Sequence, residues 1–437
     1  MAMNILLLGH GAREHAIAET LKKNKETALY AFMKSKNPGI FSLSDKIELG
    51  DYSDLDRVKR FAKDNNVDFA FIGPEGPLND GVVDALDEIG INSIGPTKAL
   101  ARLETSKSFT RQLLDKYNID GNLKFEVFTK KSIDAIEDFL KGLDGIVVKP
   151  DGLTGGKGVK VQGEHFNTKK EAIQYCMEVL ETNPKVVVEE KLDGEEFSLQ
   201  CLTDGKTVIA TPPVQDHKRA FEGDSGPNTG GMGSYSSENH LLPFLKKKNI
   251  DSALEITKKT AEAIYKETGH YYRGIMYGGF MLTRDGIKLL EYNARFGDPE
   301  AMNVLPLLKT DFAGICQAII LQELRRIKVE FAKKATVCKY AVPQGYPDNP
   351  VKNEKITVGK VPDNSKMYYA SVENKDDVLI MAGSRAIAFV GIGSDVYEAE
   401  KIAEEAVSRA KGRIFHRKDI GTAALINKKI MHVKGFA

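Results

Sequence analysis

The sequence predicts a multidomain α/β protein, and three observations support that prediction. The chain has 437 residues, which is longer than one hydrophobic core usually serves. In its first hundred residues, strand-like segments alternate with helix-like ones, which indicates a parallel sheet. In the middle, a strand–loop–strand–helix unit precedes strands that look antiparallel, and the last hundred residues mix both patterns. We therefore predict three domains, spanning residues 1–103, 104–330 and 331–437.

The N-terminal domain is expected to place a ligand crevice at one edge of its sheet. Its strand signals, at 5–8, 29–33 and 69–73, each precede a loop or helix. In a parallel sheet the loops that follow the strands meet at one edge. The loops Gly9–Glu14 and Gly73–Asp80 should therefore meet there.

The strongest chemical signal is the glycine-rich segment Lys149–Gly158, KPDGLTGGKG. Glycines let backbone N–H groups approach phosphate oxygens, and the two lysines add positive charge. A plain hairpin is the alternative, but it rarely needs four glycines within seven residues. The GxxxxGK[ST] loop is absent. The flanking strands and a helix opened by Thr168 indicate a small mobile lid over about residues 123–192, above a platform of antiparallel strands.

Two further segments place polar groups at the ends of apolar strands. After the strand 186–190, the carboxylates of 189–196 suit an adenine and ribose site, although a solvated acidic turn is the alternative. Strand alternation puts Glu291, Asn293 and Arg295 on one face, where oxygen ligands two residues apart suit Mg²⁺. A polar outer face is the alternative there. The glycine-rich segment 215–233 is predicted to be either a surface loop or a substrate loop.

The C-terminal third is predicted to be a mixed α/β unit. Its strand signals include a single strand at Tyr368–Val372 and another at Ala386–Val390. A helix follows, with apolar residues from Ala399 to Ala410 on one face and Gly412 at the stop position.

The composition limits partners and location. Hydrophobic residues make up 42% and charged residues 28%, with 62 Lys plus Arg against 61 Asp plus Glu. This balance gives no reason to expect a nucleic-acid or membrane partner. The four cysteines are far apart and indicate neither zinc nor disulfides. No apolar run approaches the roughly 20 residues of a membrane span, so a cytoplasmic protein is expected.

The chain resembles the ATP-grasp ligases in the order of four features: Lys149, the glycine-rich segment, the acidic segment 189–196, and Glu291 with Asn293. Its finer motifs resemble the phosphoribosylamine–glycine ligase family. The resemblance covers nearly the whole chain. The motifs that carry it are GHGAREHA (9–16), GPEGPLNDGVVD (73–84), GPTKALARLETSKSFT (95–110), KPDGLTGGKGV, EEKLDGEE, QDHKR, GPNTGGMGSYS (226–236), EYNARFGDPE and RKDIG (417–421).

The resemblance implies ATP-dependent ligation of glycine to 5-phosphoribosylamine through glycyl phosphate, in a monomer or weak homodimer with an N-terminal pre-ATP-grasp domain. The implied ATP-binding residues are Lys107, Lys149, Gly155, Gly156, Lys157, Gly158, Glu189, Glu190, Leu192 and Glu196, with Mg²⁺ or Mn²⁺ on Glu291 and Asn293. The implied substrate-binding residues are Gly11, Arg13, Glu14, Pro74, Glu75, Asp80, Asp216, Asn228, Thr229, Arg295 and Asp298. Among all of these, Arg295, Asp216 and Lys149 are the implied catalytic residues.

The chain departs from the family pattern at three places, and three rival functions remain. Gly279 stands where many ATP-grasp enzymes supply a third metal ligand, and the segments 37–41 and 341–347 replace two family loops. A nicotinamide-dependent dehydrogenase is disfavoured because Glu14 occupies the third glycine position of that motif. Another purine-pathway ligase and a nucleotide sensor without turnover are the remaining rivals.

Overall fold

The computed structural model describes residues 3–153 and 158–436 and confirms the predicted multidomain α/β class. It contains a parallel sheet at the N-terminus, an antiparallel platform with a small separate sheet, and a mixed C-terminal unit. Among the described residues, no helix is both long and apolar enough to cross a membrane.

The N-terminal domain is a five-stranded parallel sheet in the order β3-β2-β1-β4-β5. Its elements are β1 (Met3–Leu8), α1 (Ala12–Leu21), β2 (Thr27–Met33), α2 (Pro38–Leu43), β3 (Lys46–Leu49), α3 (Leu55–Asp64), β4 (Phe69–Ile72), α4 (Glu75–Asp80), α5 (Val82–Asp87), β5 (Asn92–Ile94) and α6 (Lys98–Thr105). The loops after β1 and β4 meet at one sheet edge, as predicted, where Gly9 and Gly73 lie against the side chain of Glu14.

Glu14 fills the space between these two loops and leaves no room for a side chain at Gly73. A Cβ there would lie 2.4 Å from Glu14 Cγ. The Glu14 carboxylate accepts a hydrogen bond from the Gly11 N–H at 2.7 Å, which holds it in place. We expect Gly73→Ala to lower the free energy of unfolding by about 1–3 kcal/mol, measured by urea denaturation. Gly76→Ala is the control, because nothing lies within 4 Å of its Cβ position; equal losses in both variants would contradict this steric explanation.

After α7 (Lys107–Lys116), which packs in the main core, a small unit has its own hydrophobic core. Its elements are β6 (Phe125–Phe128), α8 (Ile136–Lys141), β7 (Ile146–Pro150), β8 (Lys160–Val161), α9 (Lys169–Thr182) and β9 (Val186–Glu190). The strand order is β6-β9-β7-β8. Phe128, Val148 and Cys176 pack in a core separate from the main one. Separate packing is what a lid needs in order to move as a body.

The platform is an antiparallel sheet in the order β11-β10-β16-β17. The elements of this segment are β10 (Glu195–Thr203), β11 (Val208–Ala210), β12 (Gln215–Asp216), β13 (Arg219–Phe221), β14 (Ser225–Asn228), β15 (Gly233–Ser236), α10 (Lys247–Thr268), β16 (Gly274–Thr283), β17 (Gly286–Asn293) and α11 (Ala301–Val304). The strands β13 and β14 form a separate hairpin. This antiparallel arrangement of the platform strands is the predicted one.

The C-terminal unit shares a sheet with the middle of the chain, in the order β12-β15-β18-β23-β20. Its elements are β18 (Ala335–Pro343), β19 (Glu354–Val358), β20 (Ser365–Tyr369), β21 (Val372–Lys375), β22 (Val378–Met381), β23 (Ile387–Gly393), α13 (Val396–Ser408), β24 (Ala410–Lys411), β25 (Ile414–Phe415) and α14 (Ala423–Lys434). The preceding helix α12 (Phe312–Ile320) packs against α1 and β5 of the N-terminal domain.

Two local predictions in this unit are wrong. The expected single strand Tyr368–Val372 is divided, because β20 pairs with β23 whereas β21 pairs with β22 in a different sheet. The helix α13 ends at Ser408 instead of continuing towards Gly412, because Ala410 pairs with Val358 in a short strand. Both differences come from pairings with distant strands.

Candidate active site

A buried ion-pair cluster fixes Lys149 at the end of β7. The Glu189 carboxylate lies 2.7 Å from Lys149 Nζ and 2.7 Å from Arg111 Nε. Arg111 also donates hydrogen bonds to the carbonyls of Leu289 and Leu290 on β17. Burial by itself raises the pKa of Glu189, but the two cations outweigh it and lower that pKa to about 2. Glu189, predicted to contact the nucleotide, therefore has its carboxylate engaged with these cations and orients Lys149.

The start of the glycine loop is held against the N-terminus of α7. Lys107 Nζ donates a hydrogen bond to the Gly152 carbonyl at 2.7 Å. The Asp151 carboxylate accepts from the N–H and hydroxyl of Ser108, at 3.1 and 2.6 Å. Burial lowers the pKa of Lys107 below its ordinary value, although the nearby Glu291 carboxylate acts to raise it. The helix terminus, the lysine and the loop therefore meet at one place.

The far end of the same loop rests on α9. The Gly158 carbonyl accepts a hydrogen bond from the Tyr175 hydroxyl at 2.8 Å. The predicted phosphate-binding residues Gly155, Gly156 and Lys157 lie outside the described residues.

The acidic segment 189–196 joins the small sheet to the platform and is called the hinge below. The Glu190 carboxylate accepts from the Lys124 N–H at 2.8 Å, and Leu192 lines a cavity of about 490 Å³. Glu196 is half exposed and lies 3.2 Å from Lys218 Nζ. Sequence analysis did not assign a role to Lys218, although the QDHKR motif contains it.

Glu291 on β17 is surrounded by positive charge. Burial raises its pKa, but Lys218, Lys149, Lys107 and Arg295 together lower it below the ordinary value. The Glu291 carboxylate is therefore ionised. Its partner in the β16–β17 register is Gly279, which brings no side chain opposite to it.

Arg295 connects this centre to the N-terminal domain. Its guanidinium lies 3.2 Å from both Glu75 and Glu104, and it donates to Asn293 Oδ1 at 3.2 Å. Arg13 donates to the Phe296 carbonyl at 3.2 Å and lies 4.0 Å from Glu75. Burial raises the pKa of Glu75, but Arg295 and Arg13 outweigh it and lower that pKa to about 2. The predicted residues Arg13, Glu75, Asn293 and Arg295 therefore form one network.

Two further carboxylates, those of the half-buried Asp216 and the buried Glu300, lie close to each other, and Glu300 also acts electrostatically on Arg295. Asp216 lies beside Gly231, where a Cβ would be 2.7 Å from Asp216 Oδ1. Glu300 accepts a hydrogen bond from the Tyr277 hydroxyl at 2.7 Å. Burial raises the pKa of both carboxyl groups, and Glu300 raises the pKa of Asp216 further. Sequence analysis missed Glu300, although the GDPE motif contains it.

Two buried polar atoms in this region have no hydrogen-bond partner among the described residues. They are the acceptor Asp216 Oδ1 and the donor Gln200 Nε2. Gln200 lies beside this centre, because its Oε1 accepts from the Gly297 N–H at 2.8 Å. Buried polar atoms are normally paired, so an acceptor and a donor left open here suit a small ligand that carries both charges.

The remaining predicted substrate residues lie around this centre with one exception. Asp298 accepts from the Tyr340 hydroxyl at 2.6 Å, and a Cβ on Gly11 would approach it to 4.0 Å. Thr229 donates to the Lys218 carbonyl at 2.8 Å. Asn228, predicted to lie in a loop, ends the short strand β14, and Pro74 lies between β4 and α4. Asp80 is exposed at the end of α4 opposite to Glu75, and no hydrogen bond joins it to this network within the described ranges.

A small sheet and an antiparallel platform enclose a cleft lined by lysines and carboxylates. This arrangement defines the ATP-grasp class of enzymes. Models of the phosphoribosylglycinamide synthetase family match the chain in three segments: the N domain at 3–104, the ATP-grasp (A) domain at 105–301 and the C domain at 336–423. The chain belongs to this family, the phosphoribosylamine–glycine ligases.

Individual relatives agree with this membership. The chain is 52% identical to the phosphoribosylamine–glycine ligase of Methanocaldococcus jannaschii, over 98% of each chain. It is 50% identical to that of Methanosarcina barkeri, over 99% of each chain. The crystal structure of the Thermotoga maritima phosphoribosylamine–glycine ligase matches with a TM-score of 0.79 and 30% identity, over 95% of this chain and 100% of that one. The biotin carboxylase domain of Hydrogenobacter thermophilus 2-oxoglutarate carboxylase shares the fold, with a TM-score of 0.73 and 14% identity over 99% and 93% of the chains.

Proposed function

We propose that the protein ligates glycine to 5-phosphoribosylamine with consumption of ATP, giving glycinamide ribonucleotide, ADP and phosphate in de novo purine biosynthesis in the cytoplasm. The observation that carries the proposal is the continuity of the charged network. It runs from Lys149 and Glu291, beside the glycine loop, through Arg295 to Arg13 and Glu75 on the N-terminal sheet edge. A nucleotide and an amine substrate held at its two ends would meet at Arg295.

The nucleotide phosphates are assigned to the lysine side of the network. Lys107 and Lys149 flank the glycine loop, and Lys218 lies between Glu196 and Glu291. The adenosine is assigned to the hinge, where Leu192 lines the cavity and Glu196 offers a carboxylate to the ribose hydroxyls. A small sheet that closes over this cleft would exclude water from the reactive intermediate.

Glu291 and Asn293 fit a Mg²⁺ or Mn²⁺ ion that takes most of its ligands from elsewhere. Glu291 supplies an ionised carboxylate, and Asn293 an amide oxygen that also accepts from Arg295. No group of three or more His, Cys, Asp or Glu residues that could hold an ion is found in the described part of the chain. Mg²⁺ commonly completes its coordination with waters and substrate phosphates. When bound, such an ion would neutralise charge on the transferring phosphoryl group.

The chemistry proceeds in two steps that this site positions. A glycine carboxylate oxygen attacks the γ-phosphorus of ATP, and the bond to ADP breaks, which gives glycyl phosphate. The amine of phosphoribosylamine then attacks the carbonyl carbon; the C–N bond forms, the C–O bond to phosphate breaks, and the nitrogen loses a proton. Burial lowers the pKa of Arg295, but Glu104 and Glu75 outweigh it and raise that pKa above the ordinary value. Arg295 therefore stays charged beside the acyl phosphate. Catalysis here is mainly positioning and charge neutralisation.

Glycine recognition is assigned to Asp216 and Glu300, which suit its ammonium group. Burial raises the pKa of both carboxyl groups above the ordinary value. Because an ammonium group binds ionised carboxylates, glycine binding should strengthen as the pH rises through these raised pKa values. Asp216→Asn should raise the KM for glycine about 10- to 100-fold and flatten its pH dependence. Steady-state kinetics across pH test this, with Asp251→Asn on the exposed face of α10 as control; an unchanged KM would contradict it.

The proposed function is tested by measuring ADP and phosphate release with ATP, Mg²⁺, glycine and freshly made phosphoribosylamine. Each component is omitted in turn. We expect ADP release at the full rate only when all four are present, with glycinamide ribonucleotide formed in equal amount. Release that does not depend on glycine would refute the proposal, and nucleotide binding without release would favour a sensor.

A further inference from the structure

The C-terminal helix α14 contacts the hinge although it lies almost entirely beyond the segments that match the family. The last matched segment ends at residue 423, where α14 begins. The helix runs to Lys434 and packs against β10. Together with the hinge residues Glu190–Asp193 it lines the cavity of about 490 Å³. The last described residues therefore line a cavity beside the hinge that is predicted to bind adenosine.

His432 on α14 joins the two hinge carboxylates on either side of Gly194. Its Nδ1 lies 2.8 Å from Glu195 Oε1, and its Nε2 lies 3.2 Å from Asp193 Oδ1. These two carboxylates flank Gly194, which packs against the end of β16, because a Cβ there would lie 2.4 Å from the Leu282 carbonyl. One imidazole ring thus spans the turn that connects the small sheet to the platform.

Lys429, one helical turn before His432, connects the same hinge to the β13–β14 hairpin. Its Nζ lies 3.2 Å from Glu195 Oε2 and 3.0 Å from Asp224 Oδ2. Asp224 lies in the turn of that hairpin and also pairs with Arg417 at 2.9 Å. The side chains of Lys429 and Glu195 are 18% and 7% exposed, so water screens this bridge less than a surface ion pair.

We propose that α14 is a strap that holds the nucleotide hinge and the substrate hairpin in one geometry. His432 positions the hinge alone, whereas Lys429 positions the hinge and the hairpin that leads to Asn228 and Thr229. Both are positioning residues, because His432 acts through Glu195 and Asp193, and Lys429 acts through Glu195 and Asp224. The inference rests on two parts of the proposed function: that the hinge binds adenosine, and that the β13–β14 hairpin belongs to the glycine site.

The two contacts predict different kinetic effects in the full-length protein. We expect His432→Leu, which keeps bulk but removes both ring nitrogens, to raise the KM for ATP about tenfold and leave the KM for glycine within about twofold. Lys429→Met should raise both KM values, and the kcat at saturation should stay within about twofold in each variant. The dissociation constant of ADP, measured by calorimetry, should rise about tenfold in both.

Three variants make the outcome decisive. His432→Asn restores a donor near Nδ1 towards Glu195 and should recover most of the ADP affinity. Lys428→Met removes the same charge from an exposed position on the same helix and should change nothing. Glu195→Gln disturbs both contacts from the hinge side, so it reports on the strap even if an α14 variant fails to fold, and it should reproduce Lys429→Met.

The inference is overturned if ADP affinity stays unchanged in His432→Leu and in Glu195→Gln. It is also overturned if Lys428→Met weakens ADP binding as much as Lys429→Met does. Because ADP affinity is measured without ligation, a failure of the strap is distinguishable from a failure of the proposed reaction, which the omission assay reports separately.

Discussion

Glu291→Ala is expected to lower kcat by about 10³-fold while the protein stays folded. The carboxylate is the negative centre on which Lys218, Lys149, Lys107 and Arg295 converge, and it is the proposed anchor of the metal ion. Removing a preorganised charge of this kind typically costs about 10²- to 10³-fold in rate. The cations do not lose all support, because Lys149 still pairs with Glu189 and Arg295 with Glu75.

The measurement is ADP release at saturating substrates, together with circular dichroism and a thermal unfolding curve. Glu262→Ala, on the exposed face of α10, removes the same groups far from the cleft and should retain the full rate. A wild-type rate in Glu291→Ala would refute the metal role. Loss of folded signal in that variant would show that Glu291 acts in packing instead.

Glu189→Gln is expected to lower the free energy of unfolding by about 3–5 kcal/mol. The substitution keeps the shape but removes the carboxylate that pairs directly with Arg111 and Lys149, and breaking one partner of a buried ion pair is strongly destabilising. Because the folded-state pKa of Glu189 is lowered to about 2, its contribution is present above the unfolded pKa of about 4.3. That contribution is lost as the pH falls from about 4 towards 2.

Urea denaturation at several pH values measures both effects. The matched control is Glu190→Gln, because the neighbouring carboxylate accepts a backbone N–H that an amide oxygen can also accept. We expect the wild type and Glu189→Gln to converge in stability at low pH, whereas Glu190→Gln should follow the wild type throughout. A loss below about 1 kcal/mol in Glu189→Gln would contradict the buried-cluster interpretation.

Local patterns in the sequence were sufficient to predict those features of the fold that depend on residues close together in the chain. The strand signals at 5–8, 29–33 and 69–73 fall on β1, β2 and β4, and α9 begins directly after Thr168, as predicted. The oxygen of Asn293 lies beside Arg295 because strand side chains alternate. These features follow from periodicity over a few residues.

Features that depend on distant pairings were not predictable from the sequence. Arg111 meets Glu189 across 78 positions, and nothing around Arg111 distinguishes it from a surface residue of an amphipathic helix. Glu300 gains its role from burial beside Asp216, and burial of a single carboxylate has no local sequence pattern. The contacts of α14 with the hinge join residues more than 230 positions apart.

The sheet order β12-β15-β18-β23-β20 also determines how the gene can be divided. Strand β15 comes from the substrate-loop region and pairs with β18 from the C-terminal third. A fragment that stops near residue 330 would keep the pairing of β15 with β12 but remove β18, so one edge of the buried strand β15 would be exposed, which invites aggregation. We therefore expect split versions to require co-expression of both halves, and exchange of the C-terminal third between relatives to succeed only when this strand pair is exchanged together.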